Sequence, residues 1–504
     1  MGQHLDTGHT AYLGGEISHT GWWTYYPVAF TLKTPPLTLA LLGLGLIAVL
    51  AGGPRRWLAN APLWVYLGGY GAATLLSNVN TGYRFLLPLL PFCFLLIAAL
   101  IPARITQATA GRTALRITFG ALLCCSIAGT LFVHPHYLTY FNFLAGGPEN
   151  GHRYLVDSNL DWGQSFHALR AYLERQRIEQ INLSYYTYAN PALYGIDYHP
   201  LPPATDAPPT LARRFDPAPG VYVLGATTQQ GVMVVDPDTF DWFRRREPVG
   251  RPGTALFVYQ VAPHADPPTW LAQCTAPVAP LSKEAIAEGF GRDDLRMLYF
   301  DCTAGWLYPQ GMDASSWGWY ALFRETARSD DPFIQARLAG GRLSYEQRRA
   351  RVLPPFAIYE QVDAPSPHIP SEMEIQVGHL AFLGHEIRSS SPIQPGQEID
   401  VETWWRVEGT PQRPLSIMLH LIGPGGDPVI VGDGLGVPIE QWRAGDVLVQ
   451  RHPLLLPGDA PPGEYTPITG VYWLDTMERW TVERGATVEE SLRLPALTVA
   501  DGGR

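Results

Sequence analysis

Four apolar stretches in the first quarter of the chain limit its folding more than any other feature. They run approximately Leu37–Gly53, Pro62–Val79, Phe85–Ile101 and Ile117–Val133. Each is free of charge over about the 17–20 residues that a bilayer core demands. Arg55 and Arg56 lie between the first and second, and Arg104, Arg112 and Arg116 lie between the third and fourth. Both basic turns therefore fall on one side, which the positive-inside rule makes the cytoplasm. The expected architecture is multi-domain: an α-helical transmembrane bundle of four helices, a small extracytoplasmic α/β domain and a C-terminal all-β sandwich. The expected location is the plasma membrane, multi-pass, with the C-terminal region extracytoplasmic and membrane lipid as a partner.

Charge divides the chain at the same place. Through residue 133 the bases Lys33, Arg55, Arg56, Arg84, Arg104, Arg112 and Arg116 face only Asp6 and Glu16, so the net charge of -10 arises entirely beyond that point. An acidic exposed part argues against nucleic acid as a partner, because phosphates demand a basic face. Cys274 and Cys302 lie in this outer part, where a disulfide between them is chemically allowed. Met1–Phe30 carries no n-region, h-region or cleavage site and is not a signal peptide. A polar, aromatic tail delivered outside without a preceding helix implies further helices upstream, either in a longer chain or in a separate N-terminal half chain.

Five segments are expected: an extracytoplasmic loop over 1–33, the four-helix region over 34–133, an α/β domain over 134–262, a connecting subdomain over 263–370 and a β-sandwich over 371–504. In the α/β domain, Arg153–Val156, Ile181–Tyr186, Val221–Gly225 and Ala255–Val261 read as strands. Leu160–Arg175 reads as a helix, with Trp162, Phe166, Leu169 and Leu173 at spacings of three or four. Glu398–Glu408 alternates Ile399, Val401, Thr403, Trp405 and Val407 against Asp400, Glu402, Trp404 and Arg406, a period of two that marks a strand. Turn signals such as Gly423-Pro424-Gly425-Gly426-Asp427 separate further strand-like runs, the pattern of a sandwich.

Two segments carry a resemblance: Tyr83-Arg84-Phe85-Leu86-Leu87-Pro88-Leu89-Leu90-Pro91-Phe92, and the stretch from His134-Pro135-His136-Tyr137 through Gly146-Gly147-Pro148 to Asp157-Ser158-Asn159-Leu160-Asp161-Trp162-Gly163-Gln164. Over roughly residues 1–262 the chain resembles phospholipid-carrier-dependent glycosyltransferases of the protein O-mannosyltransferase and lipid A aminoarabinose transferase type, within the GT-C superfamily. His9 to Glu16, with Gly21-Trp22-Trp23 and Lys33-Thr34-Pro35, is similar to the external loop before a late helix of that family. The resemblance implies transfer of a sugar from a polyprenyl phosphate to an extracytoplasmic acceptor, using a carboxylate in the first external loop. That loop has no counterpart here, so the isolated chain is expected to be inactive, its catalytic group lying upstream. The competing expectation is a non-catalytic, membrane-anchored glycan-binding or scaffold protein of the cell envelope.

Arg84 and Lys33 are the bases expected at the outer membrane boundary, either gripping the donor phosphate or snorkelling to the interface. His9, Glu16, Asp157 and Asp161 are candidates for substrate contact. For Asp157 and Asp161 the alternative is a helix start, with Ser158 as N-cap and Asp161 three residues on in a capping box. His134 and His136 form a His-x-His without a third ligand at a characteristic spacing, so no metal site is assigned. The cofactor is left open, and no divalent metal is indicated. Trp404, opposite the apolar face of its strand, is a candidate for sugar stacking or for packing against a neighbour.

Overall fold

Proline and glycine decide how the apolar first quarter is cut into helices. In a computed structural model of the chain, Tyr25–Lys33 (α1) and Pro36–Ala51 (α2) are separated by Thr34 and Pro35 and bent by 113°. Thr34 is forced out of the helical region by the proline that follows, and Pro35 and Pro36 lack the N–H groups needed to continue the ladder. Gly53, in the left-handed region, ends the next turn ahead of Pro54–Ala59 (α3) and Ala61–Leu75 (α4). Residues Tyr83–Leu89 form a 3-10 helix containing Pro88, which runs into Leu90–Ala98 (α5). The structure describes residues 10–98, scattered positions between 100 and 131, and residues 133–208, 210–309, 317–349, 354–361, 374–389, 392–484 and 487–500.

These helices correct the expected transmembrane bundle. Among the described residues no single helix is long and apolar enough to cross a membrane, and only the bent α1–α2 pair has the length and composition when taken together. The 16 residues of α2 rise about 24 Å against the ~30 Å of a hydrocarbon core. Charge-free length was the sequence signal; Pro–Pro and Gly–Pro bound α2 at 16 residues, and Pro88 interrupts the third stretch. Much of the fourth stretch, Ile117–Val133, lies outside the described residues.

The chain forms two compact units, Met1–Pro263 and His264–Arg504. In the first, a hairpin of Ala11–Leu13 (β1) and Glu16–Ser18 (β2) precedes the helices. Beyond them, Gln180–Ser184 (β3), Asp197–Pro200 (β4), Gly220–Gly225 (β5) and Leu256–Val261 (β6) make a sheet of order β4-β3-β5-β6, antiparallel only at β5–β6. Phe166–Gln176 (α6) buries Phe166, Leu169 and Leu173 against Ile181, Leu183, Val223 and Val258 of that sheet. The helix starts six residues later than its apolar spacing suggested. Arg153–Val156, expected to be a strand, forms none: Arg153 ends a 3-10 helix over Pro148–Arg153 and the following residues are a turn and irregular.

The second unit opens with Trp270–Cys274 (β7), Arg296–Phe300 (β8), Gly305–Tyr308 (β9), Gly318–Phe323 (β10), Arg342–Gln347 (β11) and Phe356–Glu360 (β12). All but β9 form a mixed sheet of order β11-β12-β10-β7-β8. The strands that follow include Ile375–Val377 (β13), Leu380–Arg388 (β14), Glu398–Val407 (β15), Leu415–Ile422 (β16), Pro428–Val431 (β17), Val447–Leu455 (β18) and Gly463–Trp473 (β19). They build two β-sandwich-like sheets, one through β13-β14-β15-β18 and the other through β17-β16-β19. β9 leaves its own neighbours and pairs with β18, so residues 264–360 and the sandwich share one hydrophobic core.

Candidate functional site

Residues 157–159 form a cradle because their polar groups reach distant segments, while 160–164 are held by local hydrogen bonds. Asn159 is fully buried, and its Oδ1 accepts from the Tyr83 amide at 2.9 Å. Its Nδ2 donates to the Tyr25 hydroxyl and to the Val156 carbonyl, each at 3.0 Å. The Ser158 hydroxyl donates to the Thr81 carbonyl. Gly82 lies beside it at φ 145°, where a Cβ would collide with the Ser158 oxygen, so glycine alone fits. Ser158 is thereby committed to the loop before the 3-10 helix and does not cap α6. Neither Asn159 nor Asn142, which ties Thr31 and Thr34 to its own turn, was singled out from sequence. A buried asparagine inside a Ser-Asn-Leu or Phe-Asn-Phe run has no distinctive local pattern.

Lys33, a candidate for phosphate contact, is turned inward. Its Nζ donates to the carbonyls of Leu138 at 2.8 Å and Asn159 at 2.7 Å, and it sits 4.3 Å from the centre of the Phe141 ring. Burial pushes its pKa down to about 7, since desolvation disfavours the ammonium. The lysine fastens the end of α1 to the 138–159 segment.

Arg84 behaves differently. Its side chain is exposed, and among the described residues its only side-chain hydrogen bond is a long one of 3.4 Å to the Thr81 hydroxyl. No carboxylate pairs with it among the described residues. The guanidinium is held by ring faces, 5.3 Å from Phe85 and 5.5 Å from Trp162. Trp162 is 41% exposed.

Asp157 shares this neighbourhood, for its charge and that of Arg84 both act on the Tyr25 phenol, and Asp157 also acts on Tyr186. Burial dominates at Tyr25 and pushes its pKa up. Asp157 itself adopts φ 58°, a left-handed conformation that aspartate tolerates better than most residues, and its amide donates to the Thr227 hydroxyl at 3.0 Å. Asp161 accepts from the Gly163 amide at 2.9 Å. Its pKa is raised by burial, with hydrogen bonds from Gly163, Ser165 and Trp162 opposing the rise. It shapes the turn into α6.

Arg84 thus lies against Trp162, and Asp157 is near enough for its charge to act together with that of Arg84 on Tyr25. Such a set can hold a phosphate on the guanidinium and a sugar ring on indole. Glu16 lies exposed in β2, and its hairpin is fastened to Tyr154 through the Gly14 amide and to Arg153 and Gln230 through the Tyr12 hydroxyl. His9 lies outside the described residues. Among the described residues no group of His, Cys, Asp or Glu is arranged to hold a metal ion, and His134 Nδ1 instead meets the Tyr137 hydroxyl at 3.1 Å.

In the second unit a disulfide joins Cys274, at the end of β7, to Cys302, just after β8. Trp404 is buried, stacked on Tyr308 at 6.0 Å and flanked by the Arg337 guanidinium, so its ring faces are already covered.

No family model matches the chain, and no curated protein matches it. Among solved structures the chain is similar to the crystal structure of the C-terminal domain of wzt, with 15% identity, coverage of 26% of this chain and 80% of that one, and a TM-score of 0.18. A TM-score this low carries no argument about fold or function.

Proposed function

We propose that the chain is the donor-holding part of a glycosyltransferase that works at a lipid surface, engaging a polyprenyl-phosphate-linked sugar on the extracytoplasmic face of the plasma membrane. Arg84 carries this reading: an exposed guanidinium without a carboxylate partner among the described residues, steadied between Phe85 and Trp162, is preorganised for a phosphate. Trp162 offers a face to the sugar ring, and Asp157 stands close enough to bind a sugar hydroxyl.

The lipid part of the reading rests on the apolar helices. Leu44, Ile47, Leu50, Leu58, Val65, Leu76, Phe94 and Leu95 are exposed, an arrangement that water disfavours and acyl chains accept. Trp404, the candidate for sugar stacking in the sandwich, has its faces taken up by Tyr308 and Arg337.

The test is flotation of the full chain with phosphatidylcholine vesicles with and without a few per cent undecaprenyl phosphate. The carrier lipid is expected to raise vesicle association, and Arg84→Gln to weaken that increment by about tenfold or more, the scale of a lost charge-assisted contact. Arg84→Lys is expected to recover part of it. Equal association with both vesicle types would overturn the reading.

A further inference from the structure

A second polar cleft lies in the first unit, apart from the Arg84 rim. It encloses about 380 Å³ between the β1–β2 turn, the 3-10 turn at Pro148–Arg153, strand β6 and the segment from Arg244 to Arg251. Four arginines line it, and Glu247 is the only carboxylate among the lining residues. Two of the four are committed elsewhere. Arg244 is bound to Asp238 and Asp241 at 3.0 and 3.1 Å, and Arg246 lies flat on Trp242 with its Nη1 on the Trp242 carbonyl.

Arg153 and Arg251 retain donor capacity. Arg153 is exposed, and no carboxylate pairs with it among the described residues. Arg251 spends Nη1 on the Glu149 carbonyl at 3.0 Å, while its ion pair with Glu247 is long, 3.8 Å, to a glutamate whose side chain is 91% exposed. An exposed pair of that kind holds a guanidinium only weakly.

Acceptors are set in the cleft's floor. His152 is 8% exposed and Gln229 is 4% exposed, and His152 Nδ1 and Gln229 Oε1 have no hydrogen-bond partner among the described residues. Burial and the charges of Arg251 and Arg153, opposed by a hydrogen bond with the Glu149 backbone, push the His152 pKa down to about 4, so the ring is a neutral imidazole with one donor and one acceptor nitrogen. Gln229 is oriented by its own amide, which donates to the Tyr259 hydroxyl, and this directs its carbonyl oxygen elsewhere. Buried polar atoms of this kind normally have partners.

We propose that this cleft binds a sugar unit bearing a negative charge, a uronate or a sugar phosphate, with the anion between Arg153 and Arg251 and ring hydroxyls toward Gln229 and His152. The volume accommodates one or two pyranose rings. The combination of donors for an anion with acceptors for hydroxyls distinguishes this ligand from a bare phosphate, which needs only donors, and from a neutral sugar, which needs no guanidinium.

Calorimetric titration of the detergent-solubilised full chain with glucuronate, glucose 1-phosphate, inorganic phosphate and glucose tests it. At least one of the two anionic sugars is expected to bind at least tenfold more tightly than both inorganic phosphate and glucose. Arg153→Gln is expected to weaken that binding by about tenfold. Because Arg153 is exposed, its replacement should leave the melting temperature in place. Arg251→Lys, which keeps the charge and loses the planar fork, is expected to weaken binding less than Arg251→Gln. Glucose or inorganic phosphate binding as tightly as the anionic sugars, or Arg153→Gln leaving their affinity unchanged, would overturn the assignment. Arg84→Gln is expected to leave this binding intact, so failure here and failure at the donor rim are separate results.

Discussion

His452 illustrates how a single buried ring can set acid tolerance. It is fully buried in β18, with Nδ1 2.6 Å from the Gly432 carbonyl and Nε2 3.0 Å from the Thr403 hydroxyl. The carbonyl can only accept, so Nδ1 carries the proton and Nε2 accepts from Thr403, whose oxygen in turn accepts from the Trp405 indole at 2.9 Å. Burial holds the pKa at about 4, below the free value of 6.5. A depressed folded-state pKa means the unfolded chain takes up the proton first. The stability contributed by the neutral ring is therefore complete above pH 6.5 and is lost as the pH falls toward 4. The expected loss is on the order of 3 kcal/mol, read as a fall in urea midpoint between pH 7 and pH 4 that His452→Gln reduces. At the same scale, Arg337 and Glu402 form a buried ion pair, with Arg388 also reaching Glu402 at 3.4 Å. Glu402→Ala is expected to destabilise by about 3–5 kcal/mol in denaturant titration, and Arg337→Met with Glu402→Leu to recover most of it.

Among the elements, the mixed sheet of the second unit depends on how β7 and β8 are joined. They are parallel neighbours linked through Lys283–Phe290 (α7), and the Cys274–Cys302 bond closes a loop of sequence separation 28 across that crossover. Restricting the unfolded chain in this way is worth about 2–4 kcal/mol. Cys274→Ser with Cys302→Ser is expected to lower the urea midpoint accordingly, and reductant is expected to match the double variant while changing nothing further in it. In the first unit, the loop at Gly82 is the sensitive element. Gly82→Ala forces a side chain into a left-handed position against Ser158, with an expected cost of about 1–3 kcal/mol. Fluorescence of Trp162 should report the loosened cradle. Ser158→Ala is expected to cost less, since it removes one hydrogen bond and forces no side chain into a strained backbone position.

For the molecule as a whole, the division at Pro263 and His264 separates units with their own cores. Residues 264–504 are expected to fold alone in water with a single cooperative transition, checked by coincident far-ultraviolet and tryptophan unfolding curves. Under the proposed reading the exposed apolar residues among 44–95 would carry lipid contact, so flotation is expected to follow Met1–Pro263 and not the C-terminal half. The opposite partition would contradict the assignment of lipid contact to those helices.

Much of the secondary structure could be read from near neighbours. Alternation marked β15, and the three- and four-residue spacing of Phe166, Leu169 and Leu173 marked α6, because side-chain direction repeats with the backbone of each element. The Pro88 break is equally local, yet a search for charge-free length passes over it and predicts a bundle. Burial of Glu402 and Trp404 on the polar side of β15 was not legible. It follows from Pro332–Leu338 (α8), which brings Arg337 from 65 positions away and covers that face. Arg84, Lys33 and Asp157 were legible as candidate residue types, whereas Trp162 read as the apolar face of a helix, and the division of the two cations into a structural lysine and an exposed arginine was not legible. Lys33 is satisfied by a carbonyl 126 positions distant, and only closure of the chain decides which cation finds carbonyls and which stays exposed.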